Sequence, residues 1–186
     1  MGDLYLALLH HPVYDRNGAV VTTAVTNMDV HDLSRLTRTF GLRACYVATP
    51  VPTLRRLVER IMQHWATGPG AAYNSTRKEA LACVRLVHDL EMAVADIERE
   101  TGVLPRVVAT SAREGGPRLG FAALRERLAT DPRPELLVFG TGWGLTVEVL
   151  HRADNVLDPI RGLADYNHLS VRAAASIILD RLRGGR

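Results

Sequence analysis

Short runs of aliphatic and β-branched residues alternate along the chain with segments whose apolar residues recur at helical spacing. The runs lie at Leu4 to His10, Val20 to Val25, Ala44 to Thr49, Arg106 to Thr110, Leu136 to Gly140 and Asn155 to Pro159. Such alternation is typical of parallel strands joined by crossover helices. The pattern therefore predicts an α/β fold, one domain over residues 1–186 with a mostly parallel sheet and helices on both faces.

Local signals refine this pattern. The dipeptide Asn17-Gly18 separates the first two runs and is a turn signal, so these runs form either a hairpin or a loop excursion. The segment Thr76 to Glu100 is predicted as one core-facing helix, because Thr76 and Glu79 match a capping box and its apolar residues keep helical spacing. Those apolar residues are Leu81, Val84, Val87, Leu90 and Val94. The stretches "ATGPGAAYN" and "AREGGPRLG" are predicted as loops.

Composition and charge limit the class of protein. The 186 residues are 47% hydrophobic, which is enough for one sizeable core. The sequence contains no run of about 18 apolar residues, the length needed to cross a bilayer. The first residues lack the basic segment and cleavage site of a signal peptide, so we expect a cytoplasmic protein with no membrane partner. A net charge of +3 and a pI near 9.2 would tolerate a polyanionic partner without requiring one.

The stretch "LLVFGTGWGL" places Gly140, Gly142 and Gly144 directly after an apolar run. Glycines there allow a tight turn and a close approach of the backbone to a ligand, although a plain strand-to-helix turn explains the pattern equally well. In dinucleotide-binding domains the glycine loop follows the first strand. Here it comes late, so a ligand site at this loop must be completed by "NVLDPIRGLADYNHLSVR" and the final helix.

Five stretches together resemble a known family. They are "AVTNMDVHDLSRLTRTFGL", "AAYNSTR", "ATSAR", "LLVFGTGWGL" and "PIRGLADYNHLSVRAAASIILDRL". With them the chain resembles the SPOUT class of knotted methyltransferases, and within it a bacterial group of predicted S-adenosylmethionine-dependent RNA methyltransferases. The resemblance implies a C-terminal trefoil knot over about residues 106–183, an exception to the rule that chains are unknotted. It also implies S-adenosylmethionine as cofactor, tRNA or rRNA as substrate, and a homodimer whose interface includes the final helix.

By this resemblance the cofactor lies among three knot loops, Thr110 to Ala112, Gly140 to Leu145 and Ile160 to Ser170. The predicted cofactor-binding residues are Thr110, Ser111, Gly140, Thr141, Gly142, Gly144, Ile160, His168, Leu169 and Ser170. The stretch "HLSV" is similar to the Asn-Val-Ser-Val pattern of SpoU-type members, with His168 in the place of the Asn. The stretch "GTGWGL" lacks the Glu of the second SpoU motif, so the target atom cannot be transferred from that group.

Methyl transfer needs a positioned nucleophile and a group that accepts its proton. The resemblance assigns catalytic roles to Arg35, which stands six residues before Gly41 like the SpoU arginine, to Asp29, which replaces the SpoU asparagine, and to Ser170. Asp32 and Arg35 share a helical face, so a surface ion pair is the alternative role for Arg35. Ser170 and Asn167 are also natural helix N-caps.

The remaining histidines and cysteines carry no predicted chemistry. His10 and His11 point to opposite faces of a strand, and no metal-ligand spacing is present, so no metal is expected. Cys45 in a strand and Cys83 in a helix are expected to be reduced core residues. The sequence thus favours an RNA methyltransferase. A non-catalytic, knotted RNA-binding or cofactor-sensing dimer remains an alternative, and the late glycine loop disfavours a Rossmann-like oxidoreductase.

Overall fold

The computed structural model describes residues 2–163 and 166–185 of the chain. The strands are β1 (Leu4–Leu9), β2 (Val13–Tyr14), β3 (Val20–Val21), β4 (Cys45–Ala48), β5 (Val84–Val87), β6 (Arg106–Ala109), β7 (Glu135–Gly140) and β8 (Asn155–Val156). The helices are α1 (Asn27–Thr39), α2 (Pro52–Ala66), α3 (Pro69–Tyr73), α4 (Ser75–Leu81), α5 (Leu90–Thr101), α6 (Phe121–Thr130), α7 (Val147–Arg152) and α8 (Val171–Arg183).

Six strands form one sheet in the order β5-β4-β1-β7-β6-β8, and every pair in it is parallel. All carboxyl ends of these strands therefore lie at one edge of the sheet. The chain builds β1, β4 and β5 outward from the centre, and then returns through β6 to insert β7 beside β1. The predicted parallel α/β fold is confirmed.

The central strand β1 shows why helices cover both faces. Its even-numbered residues pack in a core with α1, α6 and α8, whereas its odd-numbered residues pack in a second core with α5 and α7. All of Leu4–Leu9 is buried, because side chains of a strand alternate between two faces that are both covered. Each buried leucine contributes about 1.5–3 kcal/mol of hydrophobic stabilisation.

The single helix predicted over Thr76 to Glu100 is wrong. The segment forms α4, then β5, then α5. Val84 and Val87 are the two buried residues of β5, three positions apart, and this spacing matched a helix in the sequence. Their β-branched side chains pack at the sheet edge, where β5 pairs with β4. Cys83, predicted in a helix, lies in the turn that precedes β5.

The caps of these helices also differ from the prediction. Asn74 caps α4 by accepting a hydrogen bond from the Arg77 backbone N–H at 2.9 Å, and the Thr76 hydroxyl donates to Asn74 Oδ1 at 2.9 Å. Glu79 instead pairs with Arg38 of α1. The capping box of Thr76 and Glu79 is therefore absent, because an earlier residue with a better cap side chain starts the helix.

The turn signal at Asn17-Gly18 belongs to a hairpin, but its strands are β2 and β3. The Asp15 side chain accepts hydrogen bonds from the backbone N–H groups of Asn17 and Ala19, both at 2.8 Å, and Gly18 has φ +79°. The run predicted at Val20 to Val25 is a strand only over Val20–Val21. The loop predicted at "ATGPGAAYN" contains the short helix α3, whereas "AREGGPRLG" is a loop.

The two ends of the described chain lie side by side. Arg183 Nη2 donates to the Gly2 carbonyl at 2.7 Å, and the Gly2 N–H donates to the Leu128 carbonyl at 2.7 Å. Within the described residues, no helix combines the length and apolarity needed to cross a lipid bilayer. The trefoil knot and the single-domain boundaries 1–186 stay predictions.

Candidate active site

A cavity of about 730 Å³ opens at the carboxyl ends of β6, β7 and β8, beside the start of α8. Parallel α/β sheets bind ligands at this edge, where the strand order reverses, and the volume lies within the usual range for small molecules. Every residue predicted to bind the cofactor lines this cavity. Of the predicted third loop, Ala164 and Asp165 lie outside the described residues.

The glycine loop after β7 has a backbone that only glycine adopts easily. Gly142 and Gly144 have φ of +58° and +99°, in the left-handed region. A Cβ on Gly142 would lie 2.8 Å from the Tyr14 carbonyl oxygen, and a Cβ on Gly140 would lie 2.8 Å from the Leu145 nitrogen. These glycines are thus required by the packing of the loop itself, a reason that is independent of any ligand.

The β2–β3 hairpin holds this loop from one side. Tyr14 pairs with it through two backbone hydrogen bonds, from its N–H to the Gly144 carbonyl at 3.0 Å and from the Trp143 N–H to its carbonyl at 2.9 Å. The hydroxyl groups of Thr23 and Thr141, which both line the cavity, bond to each other. The loop is therefore fixed before any ligand binds, as a rigid binding site requires.

The third loop leads into α8 through Ser170. Ser170 caps the helix, since its hydroxyl accepts a hydrogen bond from the Ala173 N–H at 3.3 Å. The other predicted cap, Asn167, is not one: its amide Nδ2 donates to the Ala112 carbonyl at 3.3 Å and ties the third loop to the first. The first turn of α8 thus brings backbone N–H groups to the cavity, an arrangement that suits an electron-rich ligand.

Asp29, predicted as catalytic, lies in the cavity wall and is only 8% exposed. The Thr26 hydroxyl donates to Asp29 Oδ2 at 2.6 Å, and Thr26 accepts from the Asp29 N–H at 3.1 Å as the cap of α1. Arg172 Nε lies 3.4 Å from Asp29 Oδ1. A carboxylate with these partners is held in one orientation, with a guanidinium available to balance its charge.

Arg35 lies away from this cavity. It is exposed and lines a second cavity of about 350 Å³ between α1 and α4, together with Arg38, Thr39, Asn74, Thr76, Arg77, Glu79 and Ala80. The ion pair expected between Asp32 and Arg35 is not among those of the described residues. Asp32 Oδ2 instead lies 3.4 Å from Arg172 Nη1. Arg35 and Asp29 therefore do not meet within one chain.

Two lining residues of the first cavity, Thr26 and Asp158, were not predicted, and neither was Arg172, which contacts the lining residue Asp29. Arg172 joins Asp29 and Asp32 from α8, Thr26 holds Asp29, and Asp158 is a second carboxylate in the lining. Thr26 was detectable, because "TNMD" is a cap residue followed three positions later by an acid. Arg172 was not, since its partners lie at the other end of the sequence.

Two histidines outside the lining of both cavities, the buried His10 and the partly buried His31, have lowered pKa values. His10 is fully buried, its ring nitrogens have no partner among the described residues, and burial lowers its pKa. His31 has a lowered pKa because of burial first and the nearby charge of Arg77 second. Unlike His10, His11 is partly exposed and lies 3.1 Å from the Thr22 hydroxyl. The two histidines were predicted on opposite faces of a strand, but β1 ends at Leu9 and both follow it.

Comparisons with known proteins add a family and a fold. A family model described as SAM-dependent RNA methyltransferase matches residues 3–184. The chain is 47% identical over 182 residues to a tRNA (guanine-N(1)-)-methyltransferase of Oleidesulfovibrio alaskensis. The match covers 98% of this chain and 42% of that protein. The chain is 38% identical over 180 residues to an uncharacterized protein of Aquifex aeolicus, covering 97% of this chain and 88% of the relative.

A solved structure, the TrmH/SpoU tRNA modifying enzyme of A. aeolicus, has the same fold. The TM-score is 0.55 at 18% identity, and the match covers 98% of this chain and 75% of the other. This chain spans only 42% of the length of the O. alaskensis relative, so the name of that relative describes a considerably longer protein.

Proposed function

We propose that this chain, which belongs to the SAM-dependent RNA methyltransferase family, transfers a methyl group from S-adenosylmethionine to RNA. The observation that carries the proposal is the cavity at the carboxyl ends of β6, β7 and β8, to which all three loops expected to bind the cofactor contribute. Its position matches the ligand site of parallel α/β sheets. The target nucleotide is open.

The residues around the cavity fit this cofactor. The preformed glycine loop offers backbone groups at Gly140, Thr141 and Gly142, and Ser170 begins a helix whose N–H groups suit a carboxylate. Apolar side chains, including Leu145, Ile160 and Leu169, supply surface for an adenine ring. When bound, S-adenosylmethionine supplies an electrophilic methyl group on a sulfonium.

For proton removal from an RNA hydroxyl or ring N–H, we favour Asp29 over Asp158. Asp29 is buried at the cavity wall, and Thr26 and Arg172 fix its orientation. A base in a fixed position costs no reorganisation when the nucleophile arrives. Ser170 remains a candidate as well, because the bond it accepts from Ala173 leaves its hydroxyl proton free to donate.

Arg35 does not line the first cavity of its own chain, so a catalytic Arg35 would have to act on the first cavity of a second subunit. We propose a homodimer that places Arg35 at that cavity. The surface of α8 supports this proposal, since Ala173 and Ile177 are only half-buried within one chain. The neighbouring Ala174 and Ala175 are not available for a contact between subunits, because Ala175 packs in the core of its own chain and Ala174 lines the first cavity. A contact between subunits would therefore use the face that carries Ala173 and Ile177.

Two measurements test the function. Calorimetry should show binding of S-adenosylmethionine and no binding of NAD. Binding of NAD would instead indicate an oxidoreductase. Incubation with labelled S-adenosylmethionine and bulk tRNA or rRNA from a strain that lacks the gene should then transfer label, and nucleoside mass spectrometry should identify the product. Asp29→Asn should bind the cofactor normally and lose most transfer, whereas Asp158→Asn is the matched control.

The outcomes separate the alternatives. Binding of the cofactor without transfer to either RNA would favour the non-catalytic, cofactor-sensing dimer. Absence of cofactor binding would overturn the proposed function. A product at guanine N1 of tRNA would assign the activity in the name of the O. alaskensis relative to this part of the longer protein. Another product would separate the two activities.

A further inference from the structure

Three aromatic rings from two loops meet at the mouth of the first cavity. Trp143 lies in the glycine loop, and His168 and Tyr166 lie in the third loop. The ring centroid of His168 lies 6.2 Å from that of Trp143 and 5.2 Å from that of Tyr166, each in an edge-on arrangement. Trp143 is 55% exposed and Tyr166 is 77% exposed. We call these three residues the aromatic platform.

Packing of the chain does not require this platform. Trp143 and Tyr166 belong to none of the buried cores, and the turn around Trp143 is held by backbone hydrogen bonds that any side chain permits. Large aromatic side chains left in water forgo the stabilisation that their burial would bring. Two such rings beside a ligand cavity thus indicate a surface that is completed by a binding partner.

We propose that the aromatic platform stacks an unpaired nucleobase of the RNA substrate at the mouth of the cofactor cavity. This inference rests on the proposed function and extends it by naming residues that position the substrate. Because stacking on neighbouring bases covers both faces of a base within a duplex, only a base in a loop, bulge or single strand can use such a platform.

The charges around the platform favour RNA over an apolar protein partner. Arg113 donates from Nη2 to the Trp143 backbone carbonyl at 3.2 Å, and its guanidinium lies over the Tyr14 ring, 5.2 Å from the centroid, so a positive charge is held against the loop that carries Trp143. Arg161 lies on the third loop with its side chain 71% exposed, paired at 3.4 Å with the equally exposed Glu114. Exposed arginines beside aromatic rings are the combination that binds a phosphate backbone and its bases together.

Binding of short oligonucleotides to the full chain tests the proposal. The probes are fluorescein-labelled oligoadenylate of about ten nucleotides and an abasic oligomer of the same length, both with saturating S-adenosylhomocysteine. Trp143→Ala and Tyr166→Ala should each weaken oligoadenylate binding by about fivefold to a hundredfold and leave abasic binding within about twofold. Trp143→Phe and Tyr166→Phe should retain most of the affinity. Tyr73→Ala, which removes an aromatic ring 88% exposed on α3, is the matched control.

Intrinsic fluorescence gives a second readout. Stacking should quench emission from Trp143 when oligoadenylate binds, and Trp143→Phe should abolish that quenching while Trp65 still emits. The proposal is overturned if wild-type protein binds both oligomers equally, or if the alanine variants lose affinity for both. It also fails if those variants lose S-adenosylhomocysteine affinity or change molecular mass, because the rings would then serve the cofactor or a subunit contact. Failure of wild-type protein to bind S-adenosylhomocysteine would instead count against the proposed function.

Discussion

Two cavities among the described residues are made in different ways. The first lies at the ends of β6, β7 and β8, and loop backbone with left-handed glycines forms much of its wall. The second lies between α1 and α4 and is formed by helix side chains, among them Arg35, Arg38 and Arg77. The first suits one small ligand of mixed polarity, and the second suits an extended anion.

This difference shows where each site can vary. A wall of backbone depends on φ angles and close packing, so one substitution disturbs the whole loop. A wall of helix side chains can change residue by residue while the helices remain. We therefore expect substitutions at the first cavity to act on cofactor binding as a unit, and those at the second to act on RNA separately.

The largest expected effect is that of Gly142→Val. Its branched side chain would meet the Tyr14 carbonyl, and φ +58° is unfavourable for valine, so the loop must move and S-adenosylmethionine binding should be lost by calorimetry. Gly102→Val is the matched control, because Gly102 has φ +74° with open space around it and is the C-cap of α5, outside the lining of the cavity. Circular dichroism should show both variants folded, and normal affinity in Gly142→Val would remove the loop from the cofactor site.

A second substitution tests the proposed dimer, in which the second cavity of one subunit would lie beside the first cavity of the other. Ile177→Arg would place an unpaired charge in the proposed contact and should shift the dimer to monomer, a cost of about 3 kcal/mol or more. Light scattering at micromolar concentration measures it, and Ala129→Arg on the exposed side of α6 is the control. A wild-type protein that scatters as a monomer would contradict the proposed dimer.

Arg35→Ala separates the roles of the cavities. We expect nearly unchanged S-adenosylmethionine affinity and RNA methylation reduced roughly a hundredfold, the scale for one preorganised donor. Arg35→Lys should not restore the rate, because lysine lacks the planar fork of the guanidinium. Arg56→Ala, an exposed arginine on α2, is the control in single-turnover assays. Wild-type rates in Arg35→Ala would leave Asp29 as the catalytic candidate.

The smallest effect concerns His10 and His31, which line neither cavity. The pKa values of His10 and His31 are lowered in the folded state, so the unfolded chain binds their protons first as pH falls below 6.5. These histidines therefore leave the free energy of unfolding unchanged above that pH. Below it they lower the free energy of unfolding by up to about 1.4 kcal/mol per pH unit for each histidine. Urea unfolding between pH 7.5 and pH 5 should show this decline, smaller in His10→Leu than in the control His151→Leu. Equal slopes would exclude His10 as a cause.

The sequence predicted the first cavity far better than the second. The resemblance identified the family, now confirmed, and the residues that it assigned to the cofactor all line the first cavity, although their role in binding stays a prediction. Local patterns carry such features, since turns and caps depend on neighbouring residues. The contact of Arg172 with Asp29 depends on how α1 and α8 pack, and no local pattern records it. The strand β5 was not predicted for a similar reason. Buried residues three positions apart, such as Val84 and Val87, fit a helix as well as a strand, and only the pairing of β5 with β4 decides between them.

The bond from Arg183 to Gly2 has an architectural consequence. Because Gly2 and Arg183 are in contact, the described part of the chain could be joined to another protein through adjacent peptide links, inserted into a surface loop, or circularly permuted with a short connector. None of these rearrangements would move the strand ends that form the first cavity. Such portability agrees with the much greater length of the O. alaskensis relative, in which a matching segment is one part of a larger chain.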